Sequence, residues 1–116
     1  MATYDIWYMK PDFFRDGSMG YEWLVERDQL PTLPFEATHA FVRTIEAASL
    51  EHVFMIQQGE VWSPKGEARP LIKAAGLAHT SMSVGDIAIE RVGEARAPFM
   101  VDRFGFRNLI NGREAG

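Results

Sequence analysis

Three histidines and one serine-bearing loop are the residues of this chain best suited to proton transfer, metal binding or nucleophilic attack. His39 opens an extended segment, His52 falls in a helical one, and His79 leads into Thr80-Ser81-Met82-Ser83. No two histidines stand four apart, the spacing by which one helix face supplies two zinc ligands. Ser81 and Ser83 lack the Gly-x-Ser-x-Gly turn that presents a nucleophile on a strained elbow, and they read as loop hydroxyls bonded to nearby backbone. Glu46 and Glu51, and Glu60 and Glu67 on either side of Trp62, are paired in sequence, but sequence sets no distance between them. Neither Gly-x-Gly-x-x-Gly nor Gly-x-x-x-x-Gly-Lys occurs, so no phosphate loop is expected. The chain has no cysteine, which removes disulfides, thiol catalysis and thiolate metal sites together. The expectation is a protein that is not an enzyme, with no catalytic residues, no metal and no cofactor.

Binding is the remaining chemistry, and the charge is unevenly placed for it. Residues 1–60 hold ten acidic and four basic side chains, whereas residues 61–116 hold six acidic and eight basic ones. An acidic first half disfavours broad contact with phosphates and suits a surface that meets a basic protein groove. Asp12, Asp16, Glu22, Glu26 and Asp28 are its candidate partner-binding residues, with Trp62 as a candidate aromatic anchor. The plainer reading of the same carboxylates is a solvated face that keeps the chain soluble. The alternative binding surface is basic. Arg91, Arg96, Arg103 and Arg107 surround a C-terminal hairpin, with Phe99, Phe104 and Phe106 interleaved, a pattern in which arginines hold phosphates and a phenylalanine stacks on a base.

The elements that must position these residues follow from hydrophobic periodicity. Thr3 to Met9 predicts a strand, apolar on both faces and therefore central, and His39 to Ala47 predicts a second. A helical turn begins at Pro11 and stops at Gly17. Met19 to Asp28 predicts an amphipathic helix with Ser18 as its cap and Tyr21, Leu24 and Val25 inward. Ser49 caps a helix over Leu50 to Gln58, with Gly59 as its stop and Trp62 in the loop beyond. Pro70 would break a helix started at Ser63, so Ser63 to Gly66 is read as a turn and Glu67 to Ala75 as the helix. Asp86 to Glu90 and Phe99 to Phe104 predict a hairpin. In Ser83-Val84-Gly85-Asp86-Ile87, the glycine turns the chain into a strand and the aspartate ties the turn. Phe106 to Ile110 predicts one more turn, and residues 111–116 a frayed end.

With 116 residues, 47% of them apolar and 24% charged, the chain fits one globular domain spanning 1–116. No apolar run reaches the ~18 residues of a membrane span. The opening MATYDIWYMK lacks the pattern of a signal peptide, and a cytoplasmic protein is expected. The element order predicts an α+β fold, a small, mainly antiparallel sheet of about four strands with two or three short helices on one face. One core is expected from Ile87, Ile89, Phe99, Val101 and Phe104 together with Ile6, Tyr8, Phe41, Ile45 and Leu71.

Three blocks, YDIWYMKPDFFRDGSMG at 4–20, GEVWSPKGEARPLI at 59–72 and HTSMSVGDIAI at 79–89, resemble small accessory proteins encoded on bacterial plasmids, integrative elements and phages. The resemblance implies a genetic setting and carries no catalytic residue. By analogy of setting, it implies an inhibitor of host defence of the anti-CRISPR or anti-restriction kind, whose partner is a host defence complex.

Overall fold

The computed structural model describes residues 1–115 and has an α+β architecture built on one six-stranded antiparallel sheet. The strands are β1 (Ala2–Met9), β2 (His39–Ala47), β3 (Ile87–Val92), β4 (Ala95–Val101), β5 (Phe106–Asn108) and β6 (Glu114–Ala115), in the spatial order β2-β1-β3-β4-β5-β6. The helices are α1 (Pro11–Gly17), α2 (Tyr21–Glu26), α3 (Leu50–Ile56), α4 (Gly59–Trp62) and α5 (Arg69–Ala74), with a 3₁₀ turn at Phe35–Ala37. β1 is an inner strand between β2 and β3, as its two apolar faces require.

The helices lie on both faces of the sheet, not on one. Residues directly opposite in an antiparallel pair share a face, and β3 pairs Ile87 with Met100 and Ala88 with Phe99. Ile87, Ile89 and Met100 therefore pack with Leu24 and Phe35 from the α2 side, in one buried cluster. Tyr4, Ile6, Tyr8, Ala88 and Val101 point the other way and pack with Leu50, Val53 and Ile72 of α3 and α5. The single core expected from the sequence is thus two cores. Phe99 and Ile45 pack at the margin of the second. Three expected core residues are outside: Phe41 is 47% exposed, Leu71 41% and Phe104 90%. Phe41 edges onto Trp7 at 5.7 Å on the edge strand β2, where no further strand covers it. Phe104 is exposed because β4 ends at Val101 and the chain turns back through Asp102–Gly105, closed by a bond from Asp102 N–H to Gly105 O at 2.8 Å.

The two extra strands come from segments without a strand pattern. Phe106–Asn108, expected as a turn, is held as β5 because Val101 pairs with the buried Phe106. Glu114–Ala115 pairs onto it as β6, inside the stretch expected to fray, of which Gly116 lies outside the described residues. Helix ends shifted where a distant group supplied the cap. Gly20, at φ +100°, precedes α2, and Tyr21 N–H donates to Asp102 Oδ1 at 3.2 Å, so Ser18 does not cap that helix. Gly59 starts α4 and puts Trp62 on a helix, because its N–H finds Ser81 Oγ at 2.8 Å. Ser49 does cap α3, accepting from His52 N–H, and α5 begins at Arg69 with Pro70 in its first turn, where no N–H is needed.

Candidate functional site

The acidic residues singled out above stand on adjoining elements. Pro11 at the start of α1 sets the helix whose first turn carries Asp12, with Asp16 one turn on. In α2 the fully buried Leu24 fixes which side meets the sheet and turns Glu22 and Glu26, four apart, outward. Asp28 follows the helix. Across residues 11–28 five carboxylates face two cations, Arg15 and Arg27. Arg27 lies over the Trp23 ring at 3.8 Å and 3.7 Å from Glu26, while Arg107 reaches Glu22 at 3.3 Å. These are solvent-facing pairs of little strength, and the Glu22 side chain is 82% exposed. Beside them Tyr21, Glu22, Glu26, Asp102, Phe104 and Arg107 line a groove of about 380 Å³.

The four hairpin arginines do not form one patch. Arg91 and Arg96 sit opposite each other at the turn end of β3–β4. Arg103 lies about 20 Å farther along the chain at strand spacing, beyond the other end of β4. Arg91 is held by Asp5 in a two-point pair at 2.7 and 3.0 Å, and Arg107 is half-buried over Tyr21 and 3.4 Å from Asp102. Of the interleaved phenylalanines only Phe104 is exposed, since Phe106 is buried and Phe99 packs against the core. Trp62 is half-buried as well. Its indole N–H donates to Thr80 O at 3.0 Å and Arg43 stacks on its ring at 4.2 Å, so it holds α4 to the loop beneath.

Two of the three histidines meet in the interior around Gly85-Asp86. The carboxylate of the fully buried Asp86 accepts from Met9 N–H, Ser83 N–H and His79 Nε2, each at 2.8 Å. Burial pushes the Asp86 carboxyl above its ordinary range, and the His79 ring and the two backbone donors offset this only in part. The His79 ring stacks on Tyr8 at 4.7 Å with Phe14 edge-on, and its Nδ1 is buried with no partner among the described residues. His39 Nε2 donates to Gly85 O at 2.8 Å, which leaves its Nδ1 to accept from Thr38 Oγ1 at 2.7 Å. Ser81 and Ser83 spend their hydroxyls on backbone, Ser81 Oγ accepting from Gly59 N–H and Ser83 Oγ donating to Ser81 O. His52 is apart, its Nδ1 accepting from Ala48 N–H. No group of three or more histidine or carboxylate side chains is placed to hold a metal ion, and no helix is long and apolar enough to cross a membrane, among the described residues.

Burial holds His39 neutral and pushes it down to about 4, below its ordinary 6.5. The unfolded chain therefore binds a proton that the folded chain refuses between these values, and stability attributable to His39 is lost as pH falls through that window. The loss is on the order of 3 kcal/mol. Asp86 titrates in the opposite sense, so the test is a difference: melts of the native chain and His39→Gln at matched pH. The native chain's advantage should shrink as pH falls from about 6.5 to about 4, and an advantage that stays constant would contradict a neutral His39.

Comparison with protein-family models, with curated proteins and with solved structures returned no match to this chain. The site is read from its own geometry.

Proposed function

We propose that this chain is a non-enzymatic binding protein of a mobile genetic element, which inhibits a host defence complex of the CRISPR or restriction type by direct contact through the α1–α2 face. The observation that carries the reading is the placement of Asp12, Asp16, Glu22, Glu26 and Asp28 on two consecutive helices beside an aromatic groove. A defence nuclease holds nucleic acid in a basic channel, and carboxylates spaced along a surface compete for such a channel while steering the encounter. Tyr21 and Trp23 supply amphipathic rings of the kind that anchor protein contacts. The resemblance to accessory proteins of plasmids and phages supplies the setting.

The experiment is phage plating on hosts that carry defined CRISPR or restriction systems, with and without this chain expressed. Plaques restored in one system, with a subunit of that system binding the purified chain, are the expected result. Unchanged plating in every system would overturn the proposal.

A further inference from the structure

We infer that two copies of this chain associate about a two-fold axis, each inserting Phe104 into an apolar cavity of the other. Phe104 stands 90% exposed at the tip of the Asp102–Gly105 turn, on a loop closed by its own hydrogen bond. Next to it lies a cavity of about 520 Å³, walled by Phe54 and Met55 of α3 and by Val84, Val101 and Phe106. Small-molecule sites span ~300–1,000 Å³, so this volume has room for an aromatic side chain. Arg103 and Gly105, the neighbours of Phe104, form part of the cavity wall. Phe104 itself lines the groove beside Tyr21 and Glu22, so knob and hole adjoin across the Asp102–Gly105 turn, and a closed, self-complementary contact engages both at once.

The charges at the rim point to a second copy as the occupant. Glu51 stands at the α3 side of the mouth and Arg103 at the turn side, and neither side chain has an ion pair or hydrogen-bond partner among the described residues. A two-fold arrangement brings Arg103 of each copy to Glu51 of the other, so both unpaired charges are met twice by one operation. None of Asp12, Asp16, Glu22, Glu26 or Asp28 lines this cavity, although Phe104 and Arg103 also line the groove beside Glu22 and Glu26, so the oligomeric state is measured apart from any effect on phage plating.

Sedimentation equilibrium of the full chain from micromolar to millimolar concentration tests it. A monomer–dimer equilibrium is expected. Phe104→Ala and Met55→Arg should each raise the dimer Kd at least about tenfold, as loss of a central anchor does. Both side chains are exposed, at 90% and 64%, so the melting temperature of dilute protein should not move. Glu51→Arg and Arg103→Glu should each weaken the dimer, and the double variant should recover it. A native chain that stays monomeric throughout overturns the inference, whatever else the cavity then binds. So does a dimer indifferent to Phe104→Ala, and so does a double variant no tighter than the singles.

Discussion

Replacing Asp86 by alanine is expected to lower the melting temperature by more than about 10 °C, the largest effect of any polar substitution in this chain. Three donors converge on that carboxylate: Met9 N–H at the end of β1, Ser83 N–H in the loop, and His79 Nε2. Alanine leaves all three without an acceptor around a position that is itself fully buried. A buried donor stripped of its partner costs ~1–3 kcal/mol, and here three donors lose theirs at once. Asp86→Asn should recover only part of this, since its amide offers one acceptor oxygen where three donors wait. Urea unfolding of the two variants checks the order. An Asp86→Ala protein within ~1 kcal/mol of the native chain, where ordinary surface changes fall, would mean that the network is not what holds the loop to β1.

Gly85→Ala is the second large effect, and it comes from sterics rather than polarity. Gly85 has φ +99°, a conformation that side chains of L-residues rarely adopt. An added Cβ would also lie 2.7 Å from Gly17 O and 2.8 Å from Gly17 C, and against the Met9 sulfur. The sulfur can swing away. The backbone of α1 cannot yield without moving the helix, so strain of ~1–3 kcal/mol adds to overpacking of ~1–3 kcal/mol. Gly76→Ala is the control, with φ +73° and nothing within 4 Å of the new Cβ. It should cost about 1 kcal/mol. Equal melting temperatures for the two variants would show that the α1 contact carries no energy.

The elements legible in the sequence were those whose signals are local. β1 and β2 follow from dense aromatic and β-branched residues, the Ser49 cap from a serine before an apolar helix, and the Gly85 turn from Ser-Val-Gly-Asp before a strand. What was illegible depends on partners far along the chain. The cap of α2 is Asp102, 81 positions away, and the N–H that starts α4 is met by Ser81, 22 positions away. Neither leaves a trace in a local window. The division into two cores turns on a pairing register, Ile87 with Met100, that periodicity within each strand cannot supply. Phe104 differs for another reason: an apolar residue next to a strand reads as its continuation, whereas Gly105, at positive φ, turns the chain and leaves the ring exposed.

At the candidate site the acidic residues could be named from charge alone, but not their grouping. It took α1 and α2 packing in succession on one side of the sheet to make a surface of them. The arginines of the hairpin failed as a patch because a strand separates one pair from the other and Asp5, Glu22 and Asp102 occupy two of them. The His79–Asp86 contact was outside local reading too. Its residues are seven apart in the chain, but the same carboxylate also takes the Met9 N–H from 77 positions away, which no local window shows.

The most direct measurement of the central claim is phage plating with charge-reversed variants, each checked for a native melting temperature. Glu22→Lys combined with Glu26→Lys places cations on the exposed side of α2 without touching Leu24. Arg96→Glu reverses an exposed cation at the turn end of β3–β4 instead, away from the groove. The account predicts that the α2 variant loses protection by at least ~10²-fold, as when like charges meet across an interface, while Arg96→Glu retains it. Protection that survives reversal of Glu22 and Glu26 but disappears with Arg96 would contradict the acidic face as the contact surface.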